Sequence, residues 1–237
     1  MLVFILCHAS ESDDRIAAAR ALGLRDLDLD LNCLNALCAC CSERSLDPRL
    51  RVAALAALES LLREPCMPDD KALVATRRSR GAGVSPRNSL PPEFYDRLDT
   101  SLRASLEDGD SSDVRSAAAR ATGASVSSGL ALSALLDLVK TDTVAEVRAT
   151  CATELKRFGP ENRDAAFALL GALGDRDVTT RDHAAASFAG FKTAKFNAEL
   201  AKATVAKLTT KSEGKKDSFT PVLQSTAARA LSFLEHA

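Results

Sequence analysis

The chain has 237 residues, 46% hydrophobic and 27% charged, which is enough apolar mass to bury a core in one or two domains. Only 4% are aromatic and none is tryptophan, a composition that disfavours a β-sandwich or barrel and favours close-packed helices. A formal net charge of −1 excludes a global pull toward nucleic acid or an anionic membrane.

Residues 1–7, Met-Leu-Val-Phe-Ile-Leu-Cys, have the apolar character of a signal-peptide core. No basic segment precedes them, Glu11, Asp13 and Asp14 follow at once, and the run is too short to span a bilayer. They are expected to form a first helix buried in the core. Beyond them one outline recurs: a position followed by arginine, then small or apolar residues four, five and eight places after it. Asp14-Arg15 precedes Ala18, Ala19 and Leu22, and Leu50-Arg51 precedes Ala54, Leu55 and Leu58. Val114-Arg115 precedes Ala118, Ala119 and Thr122, Val147-Arg148 precedes Cys151, Ala152 and Leu155, and Thr180-Arg181 precedes Ala184, Ala185 and Phe188. Leu223-Gln224 repeats it before Ala227, Ala228 and Leu231 without the arginine. The starting positions 14, 50, 114, 147, 180 and 223 are 36, 64, 33, 33 and 43 residues apart. A recurrence of this length marks stacked repeats.

Each repeated helix has another before it, predicted at residues 27–41, 92–106, 130–139, 165–173 and 197–208. The interval of 64 contains residues 65–91, which carry four prolines with a fifth at Pro92, two glycines and the run Arg77-Arg78-Ser79-Arg80. That composition predicts a mobile insertion, with a docking arm, a phosphorylation switch at Ser79 or Ser85 and a nuclear-import signal as its functional readings. The chain therefore divides into repeats one and two at 1–64, the insertion at 65–91, and repeats three to six at 92–237.

The segments Leu46-Asp47-Pro48-Arg49-Leu50-Arg51-Val52-Ala53-Ala54-Leu55 and Asp110-Ser111-Ser112-Asp113-Val114-Arg115 resemble HEAT repeats, especially the short alanine-rich kind also found in phycobilin lyases. The resemblance covers most of the chain outside the insertion. It implies an all-α fold, a right-handed α-solenoid of about six HEAT-like helix-turn-helix repeats. It says little of activity, since one scaffold hosts many functions.

At 100° per residue, the places four, five and eight after each start share one helix face, and the arginine at the next place falls on that side too. A guanidinium there needs an answering carboxylate. Asp47, Asp110 or Asp113, Asp142 and Asp177, in the turns just upstream, are expected to supply it and to cap the helices. Arg15, Arg51, Arg115, Arg148 and Arg181 are thus read as a structural ladder. The sixth place projects to the opposite face and holds Arg20, Arg120 and Arg229, with Arg157 at the tenth place of its unit. In stacked helical repeats that face commonly takes partners. These four arginines are the predicted partner-binding residues.

No catalytic residue, metal ligand or cofactor is assigned. Cys33, Cys38, Cys40 and Cys41 lack paired C-x-x-C spacing and are read as core residues. Seven cysteines, an odd number, suit reduced thiols inside a cell, in the cytoplasm or nucleus. His8, His183 and His236 are scattered and none precedes a glutamate, so the His-Glu pairs of HEAT-like deoxyhypusine hydroxylases are missing. No G-x-S-x-G elbow occurs.

The expectation is a non-catalytic, intracellular scaffold or adaptor. It holds a protein, an acidic peptide segment of it in particular, on its concave face, and neither nucleic acid, membrane nor a small molecule is expected as partner. A phycobilin-lyase-like enzyme or tetrapyrrole chaperone is the alternative on repeat type. A nucleic-acid-binding solenoid using the lysine-rich stretch from Lys192 to Lys216 is the second alternative.

Overall fold

In the computed structural model, the described residues are 1–24, 31–63, 91–125, 129–158 and 162–189. The insertion, apart from Pro91, and the predicted sixth unit lie outside them. Among the described residues the chain forms ten α-helices and no strand. They are α1 (Leu2–His8), α2 (Ser12–Leu22), α3 (Leu31–Ser42), α4 (Pro48–Leu62) and α5 (Pro92–Leu106), then α6 (Ser112–Ser125), α7 (Gly129–Thr141), α8 (Ala145–Leu155), α9 (Arg163–Ala172) and α10 (Val178–Ala189). A 3₁₀ turn, Lys156–Phe158, extends α8.

Local chemistry sets the helix starts. Asp47 caps α4 by accepting from the Arg49 amide at 2.8 Å, and Pro48 fills the first turn, where its missing N–H costs nothing. Pro92 opens α5 the same way. Asn162 accepts from the Ala165 amide at 3.1 Å to start α9, and Asp177 accepts from the Thr180 amide at 3.1 Å at the start of α10.

The helices pair in sequence: α1 on α2, α3 on α4, α5 on α6, α7 on α8 and α9 on α10. The second members pack side by side in the order α2, α4, α6, α8, α10, and the first members form a parallel row behind them. Between the two rows lies the apolar core. At the fourth, fifth and eighth places of the repeat the residues are buried, from Ala18, Ala19 and Leu22 through Ala54, Leu55 and Leu58 to Cys151, Ala152 and Leu155, and so are Ala184 and Ala185. Alanine at these places lets the second helices approach closely, and the larger leucines of the first helices, such as Leu34, Leu98, Leu135 and Leu169, fill the space behind. Each fully buried leucine is worth about 1.5–3 kcal/mol.

One expectation changes at the amino-terminal end. α1 buries only Leu6, while Leu2, Val3 and Ile5 are partly covered and Phe4 is 65% exposed. A helix of seven residues packed on one side offers a single face to the core, so the apolar run is not buried throughout. No helix among the described residues is long and apolar enough to cross a membrane.

Candidate interaction site

Two sets of arginines come off the second helices, and the fold gives them different work. The first set lies in the turns. Arg115 on α6 donates Nε and Nη2 to the two carboxylate oxygens of Asp142 at 2.7 and 3.1 Å, and Nη1 to the Asp108 carbonyl at 2.9 Å. Arg148 on α8 repeats this with Asp175 at 2.8 and 2.9 Å, and with the Asp142 carbonyl at 2.8 Å. Arg51 on α4 donates Nη1 to Asp108 at 2.6 Å and Nε to the Cys41 carbonyl at 3.0 Å. This rung is single-toothed, and its Nη2 is buried without a hydrogen-bond partner.

Each aspartate does two jobs. Asp108 accepts from the amides of Asp110 and Ser111, Asp142 from Val144 and Asp175 from Asp177, all within 2.8–2.9 Å, so each carboxylate shapes its own turn while it receives the arginine of the unit before. Burial alone would raise the Asp108 carboxyl, but Arg51 and the two turn amides hold it below the usual range. Asp175 is lowered the same way by Arg148 and the Asp177 amide, against its burial.

The expected carboxylates are thereby corrected. Asp47 and Asp177 cap helices, and Asp142 answers the arginine of the preceding unit rather than that of its own. The partners of Arg51 and Arg148, Asp108 and Asp175, were not foreseen. A signal for them existed: an aspartate stands six or seven residues before Arg115, Arg148 and Arg181, and 27 residues separate both Arg115 from Asp142 and Arg148 from Asp175. Among the described residues, Arg15 donates to Leu6 O at 2.8 Å, and Arg181 donates to Asp175 O at 2.9 Å and Arg176 O at 3.2 Å.

The second set gathers at the carboxyl-terminal halves of α4, α6 and α8. Glu59 receives both Arg63, one turn along α4, and Arg120 of α6, the latter at 3.5 Å. Glu154 of α8 receives Arg157 at 2.6 Å. Gly123 of α6 lies against Glu154 so closely that a β-carbon there would sit 2.2 Å from the carboxylate and 2.7 Å from the Glu154 Cβ. Burial pushes the Glu154 carboxyl above the usual carboxylate range, with Arg157 and the field of Arg63 opposing the rise and Glu59 adding to it. The cations stand outermost. Side-chain exposure is 34%, 40% and 29% for Arg63, Arg120 and Arg157, but 16% and 6% for Glu59 and Glu154.

Of the four predicted partner-binding arginines, Arg20 is exposed on α2 and Arg229 lies outside the described residues. Arg120 and Arg157 are not bare cations at repeated places but members of this ion-paired cluster. Arg63 belongs with them and was missed, because the composition changes two residues later at Pro65 and the helix end there is not readable from repeat spacing.

Elsewhere on the second-helix row, Ala56, His183 and Ala186 are exposed and Thr153 is half-buried. Thr153 Oγ1 lies 3.0 Å from the Ala149 carbonyl and 2.8 Å from His183 Nδ1, which ties α8 to α10 on this face. Cys33, Cys38, Cys40, Cys41 and Cys151 are buried, and burial pushes the Cys38 thiol up to about 12. A thiol held protonated is a poor nucleophile at neutral pH. Among the described residues no three His, Cys, Asp or Glu side chains are grouped to hold a metal ion.

No protein-family model matches the chain, and no curated protein does. Among solved structures it is similar to human deoxyhypusine hydroxylase in complex with glycerol, at 17% sequence identity and a TM-score of 0.40, over 100% of this chain and 85% of that one. A likeness at this level assigns no activity. The expectation that the chain is not an enzyme is withdrawn: the structure it is similar to is an enzyme, and a likeness this weak decides enzymatic status neither way.

Proposed function

We propose that the chain is a HEAT-like, right-handed α-solenoid of about six repeats that binds a protein partner along the row of second helices. The observation that carries this reading is the row itself. Five helices pack side by side and present Arg20, Ala56, Arg120, Thr153 and Ala186 from one repeat place, none of them buried. Short side chains between arginines leave room for an extended segment, and stacked repeats offer such a surface without strain. The cations favour an acidic segment. The buried thiols Cys38, Cys40, Cys41 and Cys151 support an intracellular, reducing setting.

The test is capture of partners by wild type and by the Arg20→Glu, Arg120→Glu double variant from the native cell, followed by titration of the purified partner. A partner retained by wild type is expected to bind the double variant at least roughly tenfold more weakly, as charge reversal at an interface produces. Equal affinity at unchanged thermal unfolding would contradict the reading.

A further inference from the structure

The strongest charged feature outside the ladder is the cluster of Arg63, Arg120 and Arg157 above Glu59 and Glu154. The geometry points to this cluster as the seat for a carboxylate-bearing segment of the partner, an acidic peptide that lies across the ends of α4, α6 and α8. The inference rests on the reading of the second-helix row as the binding face and narrows it to one place and one partner chemistry.

Three features favour an acidic occupant. Among the described residues three guanidiniums face two carboxylates, so the cluster carries one positive charge in excess. The carboxylates lie beneath and the guanidiniums above, so an approaching group meets cations first. Arg63 and Arg120 share Glu59, and Arg157 is paired with Glu154, so among the described residues each guanidinium keeps N–H donors for a second acceptor. Gly123 makes the layering possible, because without a side chain there Glu154 can sink against α6 and leave the surface to the arginines. Helix ends explain why cations gather here, since carbonyls at the ends of α4 and α8 favour them. They do not explain why the paired carboxylates are the deeper members.

The test is fluorescence anisotropy with two labelled twelve-residue peptides of alternating glutamate and serine, or glutamine and serine. Wild type is expected to prefer the glutamate peptide by roughly tenfold or more. Arg63→Ala and Arg120→Ala are each expected to weaken it by roughly fivefold, the ratio given by about 1 kcal/mol. Glu154→Gln removes a competing anion and no cation, and is expected to tighten binding about threefold on the same scale. That variant reads the same surface should an arginine variant fail to fold. Equal affinity for the two peptides, indifference to Glu154→Gln, or displacement by oligouridylate at lower concentration than by the glutamate peptide would overturn the assignment. If Arg20→Glu weakens the peptide while Arg63→Ala and Arg120→Ala do not, the row stands as binding face and the cluster falls. If all of these variants bind as wild type does, both fall.

Discussion

Asp142→Ala is expected to destabilise the fold by about 3–5 kcal/mol, the usual result of removing one partner from a buried ion pair. The reason lies in what remains. Arg115 loses both bonds to the carboxylate and keeps only the Asp108 carbonyl, and its side chain is 11% exposed, too little for water to replace what is lost. The Val144 amide loses its acceptor as well. Against a typical total of about 5–15 kcal/mol this is a large fraction. Urea unfolding followed by circular dichroism reads it as a lower midpoint at unchanged slope. The double variant Asp142→Leu, Arg115→Met should recover part of the loss, because an apolar pair leaves no unpaired charge. A fall below about 1 kcal/mol for Asp142→Ala, typical of surface pairs, would show that the rung is not holding the turns together. The same rungs make the fold sensitive to acid. Asp108 and Asp175 are held below their ordinary values, so they lend stability above the unfolded value near pH 3.9 that is lost as pH falls through their folded values. Glu154 has the opposite sign, since its raised carboxyl favours the fold when protonated and that contribution is lost as pH rises through its folded value.

Gly123→Ala is expected to cost about 1–3 kcal/mol, although glycine to alanine inside a helix ordinarily gains up to about 1 kcal/mol. The added carbon would stand 2.7 Å from the Glu154 Cβ, so helix α8 must shift and cannot escape by turning a side chain. Gly171 of α9 is the control. A β-carbon there meets nothing within 4 Å, and Gly171→Ala is expected to gain roughly 0.5 kcal/mol. Thermal unfolding of the two variants should therefore move in opposite directions. Adding Glu154→Ala to Gly123→Ala should restore only part of the loss, because it removes the carboxylate and leaves the β-carbon. A Gly123→Ala protein as stable as wild type would mean that α6 and α8 are not so closely apposed.

The stripe was legible because it depends on one helix at a time. Ala54, Leu55 and Leu58 share a face by angle alone, and they are buried. The arginine at the next place was legible as inward for the same reason, as Arg51 and Arg148 are nearly fully covered. Its partner was not, because the pairing crosses from one unit to the next and angular bookkeeping within a helix is blind to that step. Glu154 shows the same limit. On α8 it stands one residue past the outward place, yet it is buried, since α6 offers a glycine opposite it. A small residue on a neighbouring helix decides the burial, and no property of α8 foretells it. Arg120 and Arg157 were found as outward residues, and their carboxylates were missed because the pairs depend on how far α4, α6 and α8 overlap.

In the proposed mode of binding two sets of arginines divide the labour, one holding the stack and one facing a partner. Arginine side-chain Nε–H resonances report it directly as the glutamate peptide is titrated into the isotope-labelled protein. Signals of Arg63, Arg120 and Arg157 are expected to shift, while those of Arg51, Arg115 and Arg148 stay in place. Shifts confined to the ladder arginines, or no shift in the other three at saturating peptide, would contradict the account.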